Sequence, residues 1–458
     1  MVKLLQTLSR RADLSRAALS LAAACLPLCA LPAARAQTHT SFGPNPFGQA
    51  QSHENQSRSG RDRSLSGRLP DQPSPPPVFT IPVEPLGFSA PGLNYLGQRN
   101  SLASLDFLDE NRLLFTFRVP GLMHREAGAG ADSDERQIRA VVLTLPACTV
   151  EAEALWTVHD RLRYLWMLKD GRFLLRDRDA LQQGDAKLEL KPLLEFPGSL
   201  LSLEMDPTQQ FMVTNSREPG VAIAADGQKP ASSPNPAHPD PAPTDLVVRI
   251  LRRESGQVML VSRVRSAVYI PINSDGYLES LRGNGQQWVL NLNYFGGGSR
   301  VLGRVDSICS PASDFVSQGE VLVTACTSSG GRRLVAMDTG GRHLWEDSTS
   351  STAIWPLIVR SPDGSRLAWE TLAVTHPVDA YDPLAPEDIK GQSVRVFDAA
   401  TGKVALEAQA SPALDAGGNV AISPSGRRVA VLNAGAIQVF DLPAPSPSAD
   451  SAGNQTGH

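Results

Sequence analysis

The segment Ser361-Pro362-Asp363-Gly364 is followed directly by Ser365-Arg366-Leu367-Ala368, a chain reversal that leads into an apolar strand. Proline fixes φ at the second position of a turn, Asp and Ser hydrogen-bond the local backbone, and glycine accepts a positive φ. The same device occurs seven times, and its turns occupy residues 108–111, 168–171, 206–209, 273–276, 317–320, 361–364 and 423–426. Seven repetitions with little helical periodicity between them predict a repeat architecture.

A second hairpin follows the first within the repeats. Residues 246–251 and 257–261 flank one such turn, Glu254-Ser255-Gly256. Four antiparallel strands per repeat, seven times, predict an all-β fold, a single seven-bladed β-propeller of four-stranded blades. The last repeat shows only three strands, so we expect the strand-like residues 78–83 to complete that blade and close the ring.

Two segments resemble the WD-like, YVTN and Tol-type periplasmic propeller repeats. Residues 361–368 are close to the recurrent turn of that group, and Val396-Phe397-Asp398 with Thr401-Gly402-Lys403 are close to its later hairpin. None of the seven repeats carries the Gly-His and Trp-Asp pair of true WD repeats. The resemblance implies a seven-bladed ring and a binding platform, but this fold hosts many unrelated functions.

Residues 1–36 are typical of a secretion signal. Basic residues precede a short apolar run that ends in Ala34-Arg35-Ala36, and we expect cleavage after Ala36. Ser9-Arg10-Arg11 resembles a twin-arginine signal, although Asp13 stands where an apolar residue is expected, so both export routes stay open. The protein is therefore predicted to be periplasmic or extracellular.

The remaining chain divides by composition. Residues 37–77 are rich in Ser, Gln, Asn, Gly and Pro and predict a disordered tether, and residues 443–458 predict a disordered tail. The propeller is expected to span residues 78–442, with insertions at 121–135, 217–244 and 375–390. At 41% hydrophobic content such a unit can bury a large core.

The net charge and the cysteines give further predictions. Without residues 1–36 the formal charge changes from −4 to −8, which disfavours nucleic acid. No apolar run is long enough to span a membrane, and we expect a monomer. Cys309 and Cys326 flank one hairpin, so either a disulfide or two buried thiols fit the sequence, and Cys148 remains unpaired.

One polar and aromatic cluster lies between Trp156 and Trp166, where a propeller chain crosses from one blade to the next. The candidate ligand-binding residues of a central pocket are His159, Asp160, Arg161 and Arg163. The structural alternative is that an Asp-Arg pair in this segment braces adjacent blades while the tryptophans pack between sheets. Sequence alone favours that alternative.

Catalytic and metal motifs are not found in the sequence. The glycine-rich residues 295–299 lack the lysine and helix of a phosphate-binding loop and predict a turn. Glu370 and the acidic residues 379–388 offer carboxylates for calcium, but without the spacing of an EF-hand loop. A solvated acidic loop is therefore the favoured interpretation. We therefore expect no catalytic residues, no metal site and no cofactor.

These observations favour a non-catalytic binding or scaffold module for a protein, peptide or glycan of the cell envelope. The alternative is a propeller enzyme with an axial metal or quinone site, of lactonase, hydrolase or dehydrogenase type. Metal content and an absorption spectrum distinguish the two.

Overall fold

The structure is a computed structural model that describes residues 74–93, 96–97, 100–121, 134–159, 162–218, 246–264, 267–378 and 384–446. These residues form β-strands and two short 3-10 helices, Glu84–Leu86 and Pro386–Asp388. The strands in chain order are β1 Phe79–Pro82, β2 Ala103–Asp109, β3 Arg112–Arg118, β4 Arg136–Thr144, β5 Thr149–Val158, β6 Leu165–Met167, β7 Phe173–Asp177, β8 Ala180–Gly184, β9 Leu190–Glu195, β10 Ser199–Met205, β11 Phe211–Arg217, β12 Leu246–Arg252, β13 Val258–Val264, β14 Gly276–Arg282, β15 Gln287–Tyr294, β16 Ser299–Asp306, β17 Ala312–Phe315, β18 Glu320–Cys326, β19 Arg332–Asp338, β20 His343–Ser348, β21 Ala353–Arg360, β22 Arg366–Val374, β23 Ile389–Asp398, β24 Val404–Ala410, β25 Val420–Ile422, β26 Arg428–Asn433 and β27 Ala436–Asp441.

The strands pair into seven antiparallel sheets, the blades of a β-propeller. Blades 1 to 3 are β2–β5, β6–β9 and β10–β13, blade 4 is β14–β16, and blades 5 and 6 are β17–β20 and β21–β24. Blade 7 has the order β1-β27-β26-β25, in which Phe79 pairs with Val439 and Ile81 with Ile437. The predicted seven-bladed ring and its closure by an N-terminal strand are both confirmed.

Each of the seven predicted turns joins the first two strands of a blade. In blade 6 the N–H of Gly364 donates to the carbonyl of Ser361 at 2.9 Å, and Gly364 has φ +76°. In blade 3 the same position is occupied by Gln209, which has φ +62°. The turn geometry therefore persists where the glycine does not.

Apolar side chains fill the walls between neighbouring blades, and seven buried clusters occupy the seven walls. Trp156 lies in the wall between blades 1 and 2, and Trp166 in the wall between blades 2 and 3. The second strand of most blades contacts both walls, and in β18 all seven residues are buried. Because the walls hold the apolar core, the polar side chains of the innermost strands are left for the ring axis.

Blade 4 departs from the expected four strands, since its described residues form three. The first strand is reduced to a single bridge between Ile272 and Tyr277. Pro271 precedes that bridge and has no N–H, although its carbonyl accepts a hydrogen bond from Leu278 at 2.9 Å. The second strand, β14, is also half exposed, unlike β18.

Alternating strand directions give the ring two different faces. The turns between first and second strands lie on one face, here called the turn face. The connections between second and third strands lie on the other, here called the crossing face, together with the crossings between blades. The segments predicted as insertions, 121–135, 217–244 and 375–390, all belong to second-to-third connections, in blades 1, 3 and 6, and much of each lies outside the described residues.

The sulfur atoms of Cys309 and Cys326 are bonded, with the two Cα atoms 5.6 Å apart, while Cys148 is a free thiol.

Both ends of the described chain contact blade 6. Arg366 donates to the carbonyl of Pro443 at 2.6 Å, and the N–H of Glu407 donates to Ser74 Oγ at 2.9 Å. Residues 1–73 lie outside the description. No helix among the described residues is long and apolar enough to cross a membrane.

Candidate functional site

His159 follows β5 at the crossing from blade 1 to blade 2, where it lies between two carboxylates. Its backbone N–H donates to Asp177 Oδ1 at 2.8 Å, and its Nδ1 lies 3.0 Å from the same oxygen. Its Nε2 lies 3.7 Å from Glu135 Oε1. Asp177 ends the second strand of blade 2, so His159 links two blades. Asp160 and Arg161 lie outside the described residues.

Arg163 lies just before β6, the innermost strand of blade 2. Its Nε donates to the carbonyl of Leu165 at 3.0 Å, and its guanidinium carbon lies 5.3 Å from the ring centroid of Trp166. Arg163 also interacts electrostatically with Asp106 of blade 1 and Glu204 of blade 3. Of the described candidate residues, Arg163 is therefore the one that joins an axial group.

That group, here called the axial cluster, combines charged and phenolic side chains from the inner segments of six blades. Tyr269 precedes the bridge of blade 4 and donates its hydroxyl to Asp314 of β17. Glu204 interacts electrostatically with Asp314 and with Arg360, the last residue of β21. The members in blade order are Asp106, Arg163, Glu204, Tyr269, Asp314 and Arg360.

Enclosure by the surrounding strands changes the acidity of the cluster. Desolvation raises the pKa of Glu204 to about 7, against the attraction of Arg163 and together with the repulsion of Asp314. Desolvation also raises the pKa of Asp106 to about 6, opposed by the hydrogen bond from Ser104 at 2.5 Å and by Arg163. Both side chains nevertheless remain partly exposed at the ring axis.

The arginines of the axial cluster are held by backbone oxygens. Arg360 donates to the carbonyl of Phe315, and Arg163 donates to that of Leu165. Each guanidinium is therefore oriented by the frame of the ring and still lies within electrostatic range of the carboxylates. An arrangement of this kind offers both signs of charge to a polar ligand.

The turn face is tied together near the axis. The side chain of Gln318 accepts from the N–H of Ser274 at 2.9 Å and donates to Asp206 at 3.4 Å, which joins the turns of blades 3, 4 and 5. The N–H of Lys169 donates to Gln209 Oε1 at 2.7 Å and joins blades 2 and 3. These bonds hold together the turns at which the first strands of blades 2 to 5 end.

A metal site built from His, Cys, Asp and Glu would need three such ligands together, and no such group is found in the described part of the chain. Residues 295–299, predicted as a turn, lie between β15 and β16, where the N–H of Tyr294 donates to the carbonyl of Gly298 at 3.0 Å. Of the acidic segment, Glu387 and Asp388 lie in the second 3-10 helix.

Glu370 is not part of a solvated acidic loop. It lies in β22, its side chain is buried, and neither carboxylate oxygen has a hydrogen-bond partner among the described residues. Desolvation raises its pKa to about 8. Gly417 approaches so closely that a methyl group there would lie 3.2 Å from Leu357 and 3.6 Å from Glu370 Oε2.

Sequence reasoning found one axial residue, Arg163, and missed the other five. Three of them share a signal: a carboxylate in the first strand of a repeat, two or three residues before the turn, among apolar neighbours. Leu105-Asp106-Phe107 and Leu203-Glu204-Met205 have this pattern, and Ser313-Asp314-Phe315 has it with one polar neighbour. Charges at similar distances before the turns of several blades predict convergence at the axis.

Solved structures with similar folds share little sequence with this chain. Acylaminoacyl peptidase from Pyrococcus horikoshii is 9% identical with a TM-score of 0.42, over 78% of this chain and 55% of that one, so this chain spans about half its length. The β-propeller domain of the trilobed protease from Pyrococcus furiosus is 9% identical with a TM-score of 0.40, over 77% and 98%. Sqt1 from Chaetomium thermophilum is 11% identical with a TM-score of 0.38, over 75% and 97%. No family model and no curated protein sequence matches this chain.

Proposed function

We propose that this chain is a non-catalytic binding or scaffold module that acts in the periplasm or outside the cell on a protein, peptide or glycan partner. The axial cluster carries the proposal. Three carboxyl groups, two guanidinium groups and one phenol, from six blades, interact around the ring axis, and Asp106 and Glu204 are partly exposed. Because backbone carbonyls orient the arginines, these groups are available to a polar ligand.

The crossing face is the side from which a partner approaches. The three long connections leave from that face, whereas the turn face is closed by short turns bonded to one another. Export is supported by the signal-like residues 1–36 and by the bond between Cys309 and Cys326, which suits an oxidising compartment.

A capture experiment with matched variants tests the proposal. The exported protein is immobilised as wild type, as the axial variant Glu204→Gln/Asp314→Asn, and as the rim control Glu151→Gln/Glu153→Gln. Each is exposed to a gentle envelope extract of the native host and to a glycan array. We expect a partner whose capture falls about tenfold, or 1.4 kcal/mol, in the axial variant and stays unchanged in the control. No partner, or equal capture by the axial variant with an unchanged melting temperature, would contradict the proposal.

The enzyme alternative is favoured by one observation. The pKa values of Asp106 and Glu204, raised to about 6 and about 7, lie where carboxyl groups work as general acids and bases. Stoichiometric metal, or a quinone band in the absorption spectrum of the purified protein, would favour that alternative over a binding module.

A further inference from the structure

The rim strand of blade 3, β13, exposes an apolar surface. Val258, Met259 and Val261 are 48%, 42% and 60% exposed. β13 is the last strand of its sheet and pairs with β12 alone, so among the described residues its outer edge has no partner strand. An unpaired apolar edge is a template for another strand.

The rim strands of the other blades are protected against such pairing. Each contains a proline or a carboxylate, which are among the residues that natural sheets use to block their edges. The protecting residues include Glu151 in β5, Pro192 in β9, Asp306 in β16, Glu346 in β20, Glu407 in β24 and Pro82 in β1. β13, with the sequence Val-Met-Leu-Val-Ser-Arg-Val, has neither, and its one charged residue is Arg263 near the end of the strand. Blade 3 is thus the exception among seven.

Charge around β13 defines the chemistry of the strand that it would accept. Arg263 is exposed near one end of β13. The exposed Arg252 of β12 does not charge this edge, because it is paired with Phe211 of β11 and its guanidinium carbon lies 4.9 Å from that ring centroid. The exposed Glu254 in the hairpin lies 3.3 Å from Arg253, which offsets its charge. A second copy of β13 has no carboxylate to pair with Arg263, whereas an acidic segment complements it.

We propose that β13 is a docking strand, which accepts an extended segment of a partner protein as a fifth strand of blade 3. The segment has apolar side chains in its centre and acidic residues at the end that faces Arg263. Main-chain hydrogen bonds provide the affinity and the side chains provide the choice of partner. This surface is on the rim, so it does not depend on the function proposed for the axial cluster.

Peptide binding to the full exported chain tests this. The probe is a fluorescent peptide of sequence Glu-Glu-Val-Thr-Val-Thr-Val-Glu-Glu, followed by anisotropy. We expect Val261→Asp to weaken binding about tenfold or more, equal to 1.4 kcal/mol. A peptide in which proline replaces both threonines should lose as much, because proline cannot complete the ladder. Hydrogen exchange should slow in residues 258–264 when the probe binds.

The matched control is Leu155→Asp in β5, a rim strand whose Leu155 is 57% exposed; it should bind the probe like wild type. A probe with glutamine in place of glutamate should still distinguish Val261→Asp from wild type, which separates loss of the edge from charge repulsion. The axial variant Glu204→Gln/Asp314→Asn should also bind normally, so failure of this proposal and failure of the proposed function are distinguishable.

Three results would overturn the inference. The first is no binding by wild type up to about 1 mM, the weak end of specific affinity. The second is equal binding of the proline peptide, or protection outside residues 258–264. The third is capture of wild type, but not of Val261→Asp, by phosphatidylglycerol vesicles in the absence of peptide binding, which would assign the surface to a membrane.

Discussion

The buried carboxyl group of Glu370 lowers the free energy of unfolding by an amount that depends on pH. In the unfolded chain its carboxyl ionises near its ordinary pKa of 4.5, but burial in β22 raises the folded pKa to about 8. Between these values the folded state holds a proton that the unfolded state has released. Folding stability from this residue is therefore fully present below pH 4.5 and is lost as the pH rises toward 8.

Replacing Glu370 with glutamine should remove this dependence. Each pKa unit corresponds to roughly 1.4 kcal/mol, so the difference in the free energy of unfolding between Glu370→Gln and wild type should shift by a few kcal/mol in favour of the variant from pH 5 to pH 8.5. Urea unfolding at the two pH values measures it. The exposed Glu189→Gln should show no such shift, and a difference that is the same at both pH values would contradict the assignment.

Gly402 is constrained by a tryptophan. It has φ +67°, and a Cβ atom there would lie 2.6 Å from the ring of Trp345. That ring is fixed, because its Nε1 donates to the carbonyl of Ala399 at 2.6 Å and it stacks on Phe397. Any side chain at position 402 is therefore disfavoured by the backbone conformation and also by contact with Trp345.

Gly402→Ala should destabilise the protein by about 2–4 kcal/mol, from the left-handed backbone and the overpacking together. Gly285 is a matched control, since it has φ +64° and open space around the Cβ position. Gly285→Ala should cost only about 1 kcal/mol, the backbone part alone. Equal melting temperatures for the two variants would show that the Trp345 side chain moves to accommodate the added methyl group.

Strand β1 completes blade 7 through four register pairs with β27, and Ile81 and Val83 are buried in the wall between blades 7 and 1. A chain that begins at Gly92 loses this strand and exposes the edge of β27. We expect it to unfold at a lower denaturant concentration and less cooperatively than a chain that begins at residue 74.

Point variants refine the same prediction. Ile81→Ala should cost about 2–5 kcal/mol as a core truncation. Thr80→Ala, at the exposed neighbouring position, should stay within about 0.5 kcal/mol of wild type. Undiminished stability of the chain that begins at Gly92 would mean that the ring closes without β1.

The architecture of the ring was predictable from sequence because it rests on local signals. The turn at residues 361–364 and its six counterparts fix where each blade begins, and the incomplete last repeat indicated the strand at residues 78–83. The shortened first strand of blade 4 was less visible, although Pro271 stands immediately before its single bridge.

The axial cluster was harder to predict because its members are far apart in the chain. Asp106 and Arg360 meet through the ring, and no local spacing relates them. In the crossing segment His159 pairs with Asp177, and among the described candidate residues Arg163 alone reaches the cluster. The apolar pattern of a strand predicts which side chains pack between blades. Residues at the ring axis are instead indicated by single charged residues within otherwise apolar first strands.

The pairing of Phe79 with Val439 also sets an order of events during biosynthesis. The first strand of the propeller leaves the ribosome early and must wait until β27 has been synthesised before its partner exists. Until then six blades can assemble with one terminal edge still vacant, a species open to chaperones or to mispairing. Arrival of β27, and not any earlier step, is therefore the event that seals the ring.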